Sequence, residues 1–195
     1  MIIGITGGTG CGKTTALDTI RQLGGLVIDC DAVYHDLLAS DKDMLSAIET
    51  RFPGSVADSI LDRKKLGTVV FSDPEALSDL NAITHQAVKD QVLKLLASRP
   101  ALAAIDAISL FESGLSDLCD ITVAVTAPEE VRISRLTARD HIDEHYAAQR
   151  ISAQKPQSYF QEHCDYVLEN GGTQADFQHK CLAFFTNPDI IKEEK

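Results

Sequence analysis

From Gly7 to Thr15 the chain reads Gly-Gly-Thr-Gly-Cys-Gly-Lys-Thr-Thr, with Gly7, Gly12, Lys13 and Thr14 at the defined positions of the spacing G-x-x-x-x-G-K-[ST]. The chemistry needs glycines there, because consecutive backbone N–H groups must close on a phosphate in conformations that a Cβ obstructs. Gly8, Thr9, Gly10, Cys11 and Gly12 are therefore expected to cradle phosphates, with Thr15 and the following helix adding a positive N-terminal end. Lys13 is expected to reach the β- and γ-phosphates, and the Thr14 hydroxyl to ligate Mg²⁺. A Gly-rich turn ending in Lys-Thr arises by chance in roughly one chain in a hundred, before a strand in front and a helix behind are required. Phosphate binding is the reading that survives.

Phosphoryl transfer needs more than a cradle, and acidic residues at strand ends are the next requirement. Asp29 closes an apolar run, Asp31 follows it, and Asp106 ends the run Ala-Ala-Ile-Asp. All are expected at the carboxyl edge of a parallel sheet, where open α/β folds bind ligands. One carboxylate can serve a metal and another can take a proton from an acceptor hydroxyl. Asp31 has a plainer possible role as a helix N-cap. Arg132, Arg135, Arg139 and Arg150 then cluster with Lys155 in a chain whose net charge is −11. Arginines on a closing flap would stabilise a phosphoryl group in transfer and exclude water. The alternative is a solvated helix face with ion pairs such as Arg135 with Asp140.

These residues need a scaffold, and the hydrophobic pattern supplies one. Short apolar runs at Ile2 to Thr6, Leu26 to Asp29, Leu102 to Ala107, Ile121 to Thr126 and Tyr166 to Leu168 suit buried parallel strands. Helical periodicity covers Lys13 to Leu23, Asp31 to Ala39, Asp43 to Phe52, Arg63 to Phe71 and Pro74 to Ser98. It resumes from Pro128 to about Asp140 and from Asp143 to Gln154, and the tail beyond Thr173 reads as a packing helix. The expectation is an α/β fold of three α/β/α layers around a five-stranded parallel sheet, built on a P-loop. The helices between the second and third strands are the natural place for a second substrate, and the arginine-bearing segment for a lid.

Composition narrows the function classes. With 195 residues and 44% hydrophobic content the chain can bury a full core. Its acidic balance repels polyanions, so nucleic acid is not expected as a partner. Five scattered cysteines without a C-x-x-C pair fit a reducing compartment. The opening MIIGITGGTG does not read as a secretory signal, and no stretch has the length of a membrane span. A cytoplasmic enzyme with small-molecule partners is expected; the oligomeric state is not legible.

Beyond the phosphate loop, several segments together resemble the dephospho-CoA kinases: Val27-Ile28-Asp29-Cys30-Asp31, Leu80-Asn81-Ala82-Ile83-Thr84-His85, Leu110-Phe111-Glu112-Ser113-Gly114-Leu115, Arg135-Leu136 with Arg139-Asp140, Ala153-Gln154, and Asp165-Tyr166-Val167 with Asn170-Gly171. The resemblance implies transfer of the ATP γ-phosphoryl group to the ribose 3′-hydroxyl of dephospho-CoA, with Mg²⁺. By the same resemblance Asp31 matches a general base and Gly8 to Thr15 bind ATP. It also places Arg139 and Arg150 in a lid, and His85 and Glu112 near the acceptor. Asp29 and Asp106 are counted with that acceptor group. The implied division is a core of residues 1–30, 100–134 and 164–195, a CoA-side insert of about 31–99, and a lid of about 135–163. The chain departs from the family's usual pattern at Ile108-Ser109 and Gln86, and Gln157 to Cys164 carries no Lys or Arg. Another small-molecule, nucleoside or nucleotide kinase is the alternative, since its ATP half would look the same. Cys11 stands where the family more often has Ser, and a helix N-terminus is expected to favour its thiolate.

Overall fold

The strand Ile2–Thr6 (β1) delivers the chain into the glycine loop, and Lys13–Gln22 (α1) carries it away. There follow β2 (Leu26–Asp29), α2 (Cys30–Ser40), α3 (Lys42–Arg51), a hairpin of β3 (Val56–Ala57) and β4 (Ile60–Leu61), α4 (Arg63–Val70) and α5 (Pro74–Leu96). The chain then returns through β5 (Ala103–Asp106), a 3₁₀ turn at Ser116–Leu118, β6 (Ile121–Thr126), α6 (Glu129–Asp140), α7 (Glu144–Ser152), α8 (Gln157–His163), β7 (Tyr166–Glu169) and α9 (Gln174–Phe185). This computed structural model describes residues 1–191. Positions 192–195, assigned with the core from sequence, lie outside the described residues.

The main sheet has the order β2-β5-β1-β6-β7, parallel, in a three-layer α/β/α arrangement. Ile3 pairs with Ala104 on one side and Ile121 on the other, which puts β1 at the centre. A central parallel strand is covered on both faces, so its sequence is apolar rather than alternating. Ile3 and Ile5 are fully buried with Ile20, Val123, Val125 and the α9 residues Phe177 and Cys181. The tail is thus a packing helix, held at its start by a reciprocal cap between Thr173 and Asp176. Because all strands run one way, Thr6, Asp106 and Thr126 end at the same edge of the sheet.

By its contacts the chain divides into two units. One comprises Met1–Val27, Arg99–Leu110 and the chain from Leu115 onward. The other comprises Ile28–Ser98 with Phe111–Gly114. In the second unit α2, α3 and α4 pack around α5, and Lys89 Nζ donates to the Gly114 carbonyl at 2.8 Å, fastening the Phe111–Gly114 segment. The Glu49 carboxylate accepts from Gly54 N at 2.5 Å and Val56 N at 2.7 Å, which shapes the entry to the hairpin.

Several boundaries differ from the sequence expectation. The β3–β4 hairpin was not anticipated: two residues per strand are too few to show alternation. α8 was not anticipated either; Pro156 separates it from α7 and serves as its N-cap residue. The capping role considered for Asp31 belongs to Asp29, whose extended backbone lets its side chain accept from Ala32 N at 3.0 Å. Asp31 is already helical, in the first turn.

Candidate active site

The loop after β1 opens on a cavity of about 540 Å³ lined by Gly8, Gly10, Gly12, Lys13, Thr14, Asp106 and Arg139, among others. An anion site must hide carbonyl oxygens, and every carbonyl from Gly7 to Gly12 has a donor within the protein. Gly7 O accepts from Lys13 Nζ at 3.0 Å, Gly8 O from Cys11 N at 3.3 Å, and Gly12 O from Thr15 N at 3.1 Å. Thr9 O accepts from Arg132 Nε at 2.8 Å, while Gly10 O and Cys11 O accept from Arg135 Nη1 at 3.4 Å. Asn170 Nδ2 donates to Cys11 O at 2.9 Å, and Asn170 Oδ1 accepts from Arg135 Nη2 at 3.0 Å.

Gly12 is required twice over. Its φ of 94° is left-handed, and an added Cβ would lie 2.2 Å from Asn170 Nδ2. It is also the N-cap of α1, which has neither a side-chain cap nor an acidic residue in its first turn. By contrast α2, α3, α4, α5, α7 and α9 each carry an Asp or Thr cap. The first N–H groups of α1 are thus left for a ligand, and the helix dipole favours an anion.

Arg139 and Arg150 meet on one carboxylate. Asp140 pairs with Arg139 Nε at 2.7 Å and with Arg150 Nη1 at 2.5 Å. The hydrogen bond from Arg139, helped by Arg150, holds the Asp140 carboxyl well below the usual carboxylate range. The alternative pairing of Arg135 with Asp140 does not form, because Arg135 is turned onto the loop and Asn170. Arg139 lines the cavity, as do Thr14 and Asp106. Among the described residues no group of three His, Cys, Asp or Glu could hold a metal ion. A hydroxyl and a carboxylate oxygen do suit a hard cation that takes its remaining ligands from phosphate and water.

Cys11 corrects an expectation. Its side chain is buried, and burial pushes the thiol above its ordinary value against the lowering pull of Lys13 and Arg132. The thiolate is therefore not favoured, because desolvation outweighs the helix N-terminus.

In the second unit a cavity of about 420 Å³ is lined by Pro74, Leu77, Ser78, Asn81, Ala82 and His85 of α5, together with Glu112. The α5 residues follow the i, i+3, i+4, i+7 spacing of one helix face. Burial lowers the His85 pKa, opposed by a hydrogen bond to the Glu112 backbone and by its carboxylate. His85 and Glu112 are thus brought together; Asp106 lines the loop cavity instead. Asp29 caps α2, and Asp31 is exposed in that helix's first turn.

Arg132, Gln154 and Asn170 were not singled out as loop supports from sequence. Their partners lie more than a hundred positions away, so no local spacing could reveal them.

Comparison with known proteins shows the family. The family model described as dephospho-CoA kinase matches residues 1–176. The chain belongs to the dephospho-CoA kinase family. A dephospho-CoA kinase of Geobacillus kaustophilus is 33% identical over 99% of each chain, and one of Anaeromyxobacter dehalogenans is 38% identical over 88% of this chain and 84% of its own length. The structure of the dephospho-CoA kinase of Campylobacter jejuni covers 93% of both chains with 26% identity and a TM-score of 0.64. The reading as some other small-molecule kinase is not favoured. Membership of the dephospho-CoA kinase family makes this a phosphotransferase and implies ATP as the phosphate donor. No helix among the described residues is long and apolar enough to cross a membrane.

Proposed function

We propose that this chain transfers the γ-phosphoryl group of ATP to the ribose 3′-hydroxyl of dephospho-CoA, releasing CoA and ADP. The observation that carries the reading is the phosphate loop, whose carbonyls from Gly7 to Gly12 all accept from donors within the protein while Lys13 and the uncapped start of α1 border the cavity. It is supported by near full-length likeness to relatives that bear this name.

In the proposed reaction the acceptor oxygen bonds to the γ-phosphorus as the bond to the β–γ bridging oxygen breaks. Asp31 takes the hydroxyl proton, and Lys13 neutralises charge on the β- and γ-oxygens. Gly8 to Thr15 hold the phosphates. Thr14, with Asp106 nearby, would hold Mg²⁺, which supplies charge neutralisation across those oxygens when bound. Arg139 and Arg150 act from a lid of about residues 135–163. Asp140 keeps both guanidinium groups in register until the phosphates compete for them. Residues 31–99 form the acceptor side, joined by Asp29 and by Glu112 of the Phe111–Gly114 segment, which belong to the same unit, and the rest of residues 1–30, 100–134 and 164–195 form the core. Burial keeps His85 neutral at pH 7, so it serves as a hydrogen-bonding group rather than a cation. We also place the enzyme in the cytoplasm, where thiols stay reduced.

Purified protein incubated with ATP, Mg²⁺ and dephospho-CoA, beside adenosine, AMP and pantetheine as competing acceptors, tests this by mass spectrometry. Conversion of dephospho-CoA alone is expected. Phosphorylation of a different acceptor, or ATP hydrolysis without transfer, would overturn it.

A further inference from the structure

Thr9, inside the phosphate loop, is gripped from outside it at both of its backbone polar groups. Its N–H donates to Gln154 Oε1 at 2.7 Å across 145 positions of sequence, and its carbonyl accepts from Arg132 Nε at 2.8 Å across 123. We propose that Arg132 and Gln154 are positioning residues for the ATP phosphates: they fix the two peptide units flanking Thr9, and through them the aim of the loop's N–H groups. The inference rests on ATP being the phosphate donor.

Three observations favour positioning over packing. The first is the cost. Arg132 is 6% exposed, and its Nη2 is buried without a hydrogen-bond partner among the described residues. A buried guanidinium with an unsatisfied donor is a poor device for stability, since an apolar side chain of similar volume would serve as well or better. The second is the glycine at position 8. A Cβ there would lie 2.4 Å from Arg132 Nη2 and 3.2 Å from Gln154 Oε1. Position 8 is one of the unspecified places in the loop spacing, so the demand for glycine comes from the two side chains that converge on it.

The third is where the grips originate. Arg132 stands in the first turn of α6, and Gln154 follows α7 directly, its own N–H bonded to Ile151 O at 3.2 Å. α7 also carries Arg150, one of the two cations on Asp140. The Gln154–Thr9 bond therefore links the segment bearing a lid arginine to the loop that takes the phosphates. Any shift of the end of α7 must either move the Thr9 peptide or break that bond, and phosphate binding is coupled to the placement of α7.

The test compares Gln154→Met, which keeps volume and loses the acceptor, with Gln154→Glu, which keeps an acceptor for Thr9 N–H. Calorimetry gives the Kd for ATP, steady-state kinetics give KM and kcat, and thermal melts report stability. Gln154→Met is expected to weaken ATP about five- to tenfold, the worth of one hydrogen bond. Its KM for the acceptor stays at the wild-type value, and Gln154→Glu lies closer to wild type. Equal ATP Kd in Gln154→Met and wild type, or the reverse ranking of the two variants, overturns the proposal. A second arm uses Gly8→Ala, Arg132→Ala and their combination. The double variant is expected to bind ATP no worse than Arg132→Ala alone, because the clash is gone; additive losses overturn the proposed geometry. ATP binding needs no acceptor, so wild-type protein that binds ATP yet ignores dephospho-CoA defeats the proposed reaction and leaves this inference standing.

Discussion

The two cavities are built from different materials. The one at the phosphate loop joins glycine-loop backbone to the side chains of Lys13, Thr14, Asp106 and Arg139: its loop carbonyls are tied back by Arg132, Arg135, Asn170 and Lys13, and the α1 terminus carries no cap. The one beside α5 is made of side chains on a single helix face plus Glu112. A backbone site presents fixed dipoles and has little freedom to drift in sequence, whereas a side-chain site can be re-specified one residue at a time. Gln86 adjoins His85 and Ile108-Ser109 lies between Asp106 and Glu112, while Lys13 and Thr14 keep the loop spacing.

Variants should therefore separate by substrate, and the widest effect is expected at Asp31. Replacing it by Asn is expected to lower kcat by about 10² to 10⁴ while the ATP Kd is kept, as befits a general base; single-turnover kinetics check this, and wild-type turnover removes Asp31 from the mechanism. Lys13→Ala is expected to cost about 10² to 10³ in kcat and to raise the KM for ATP, with the acceptor's KM unchanged. A matched rise in both KM values would erase the distinction between the two cavities. Glu112→Ala is expected to raise the acceptor KM about tenfold and leave the KM for ATP alone, which substrate titrations at saturating co-substrate would show.

The smallest expected effect concerns pH. His85 has a folded pKa below its ordinary value of 6.5, chiefly through burial. Below that pH the unfolded chain takes up the proton more readily than the folded one, so this group makes stability fall as pH falls from about 6.5 through the folded pKa. Thermal melts of wild type and His85→Gln across pH 7.5 to 5 should diverge, with the wild type losing more on the acid side. Parallel curves would show that the group does not titrate in this way.

Legibility followed the same divide. The loop was readable because its chemistry sits in nine consecutive residues, and β1 and α1 were readable around it. Its supports were not: Asn170, which follows β7, meets Cys11 across 159 positions, and nothing local in sequence marks that contact. Cys11 was misjudged for a related reason. Position at a helix start is local information, but burial in the core cluster with Ile5, Val125 and Phe177 is not. His85 and Glu112 could be grouped only by resemblance, since they come together from α5 and a distant loop. The Asp29 cap shows the limit of boundary reading, where a shift of two residues reassigns which carboxylate is occupied.

The pairing of α9 with α1 also bears on how the enzyme comes into being. Phe177, Cys181 and Phe185 complete the core beneath Ile20 and Leu17, so the helix that follows the phosphate loop lacks its cover until the ribosome has made α9. At ordinary elongation rates that wait is on the order of ten seconds. Until then the apolar face of α1 formed by Leu17 and Ile20 lacks the cover that α9 gives it in the folded chain.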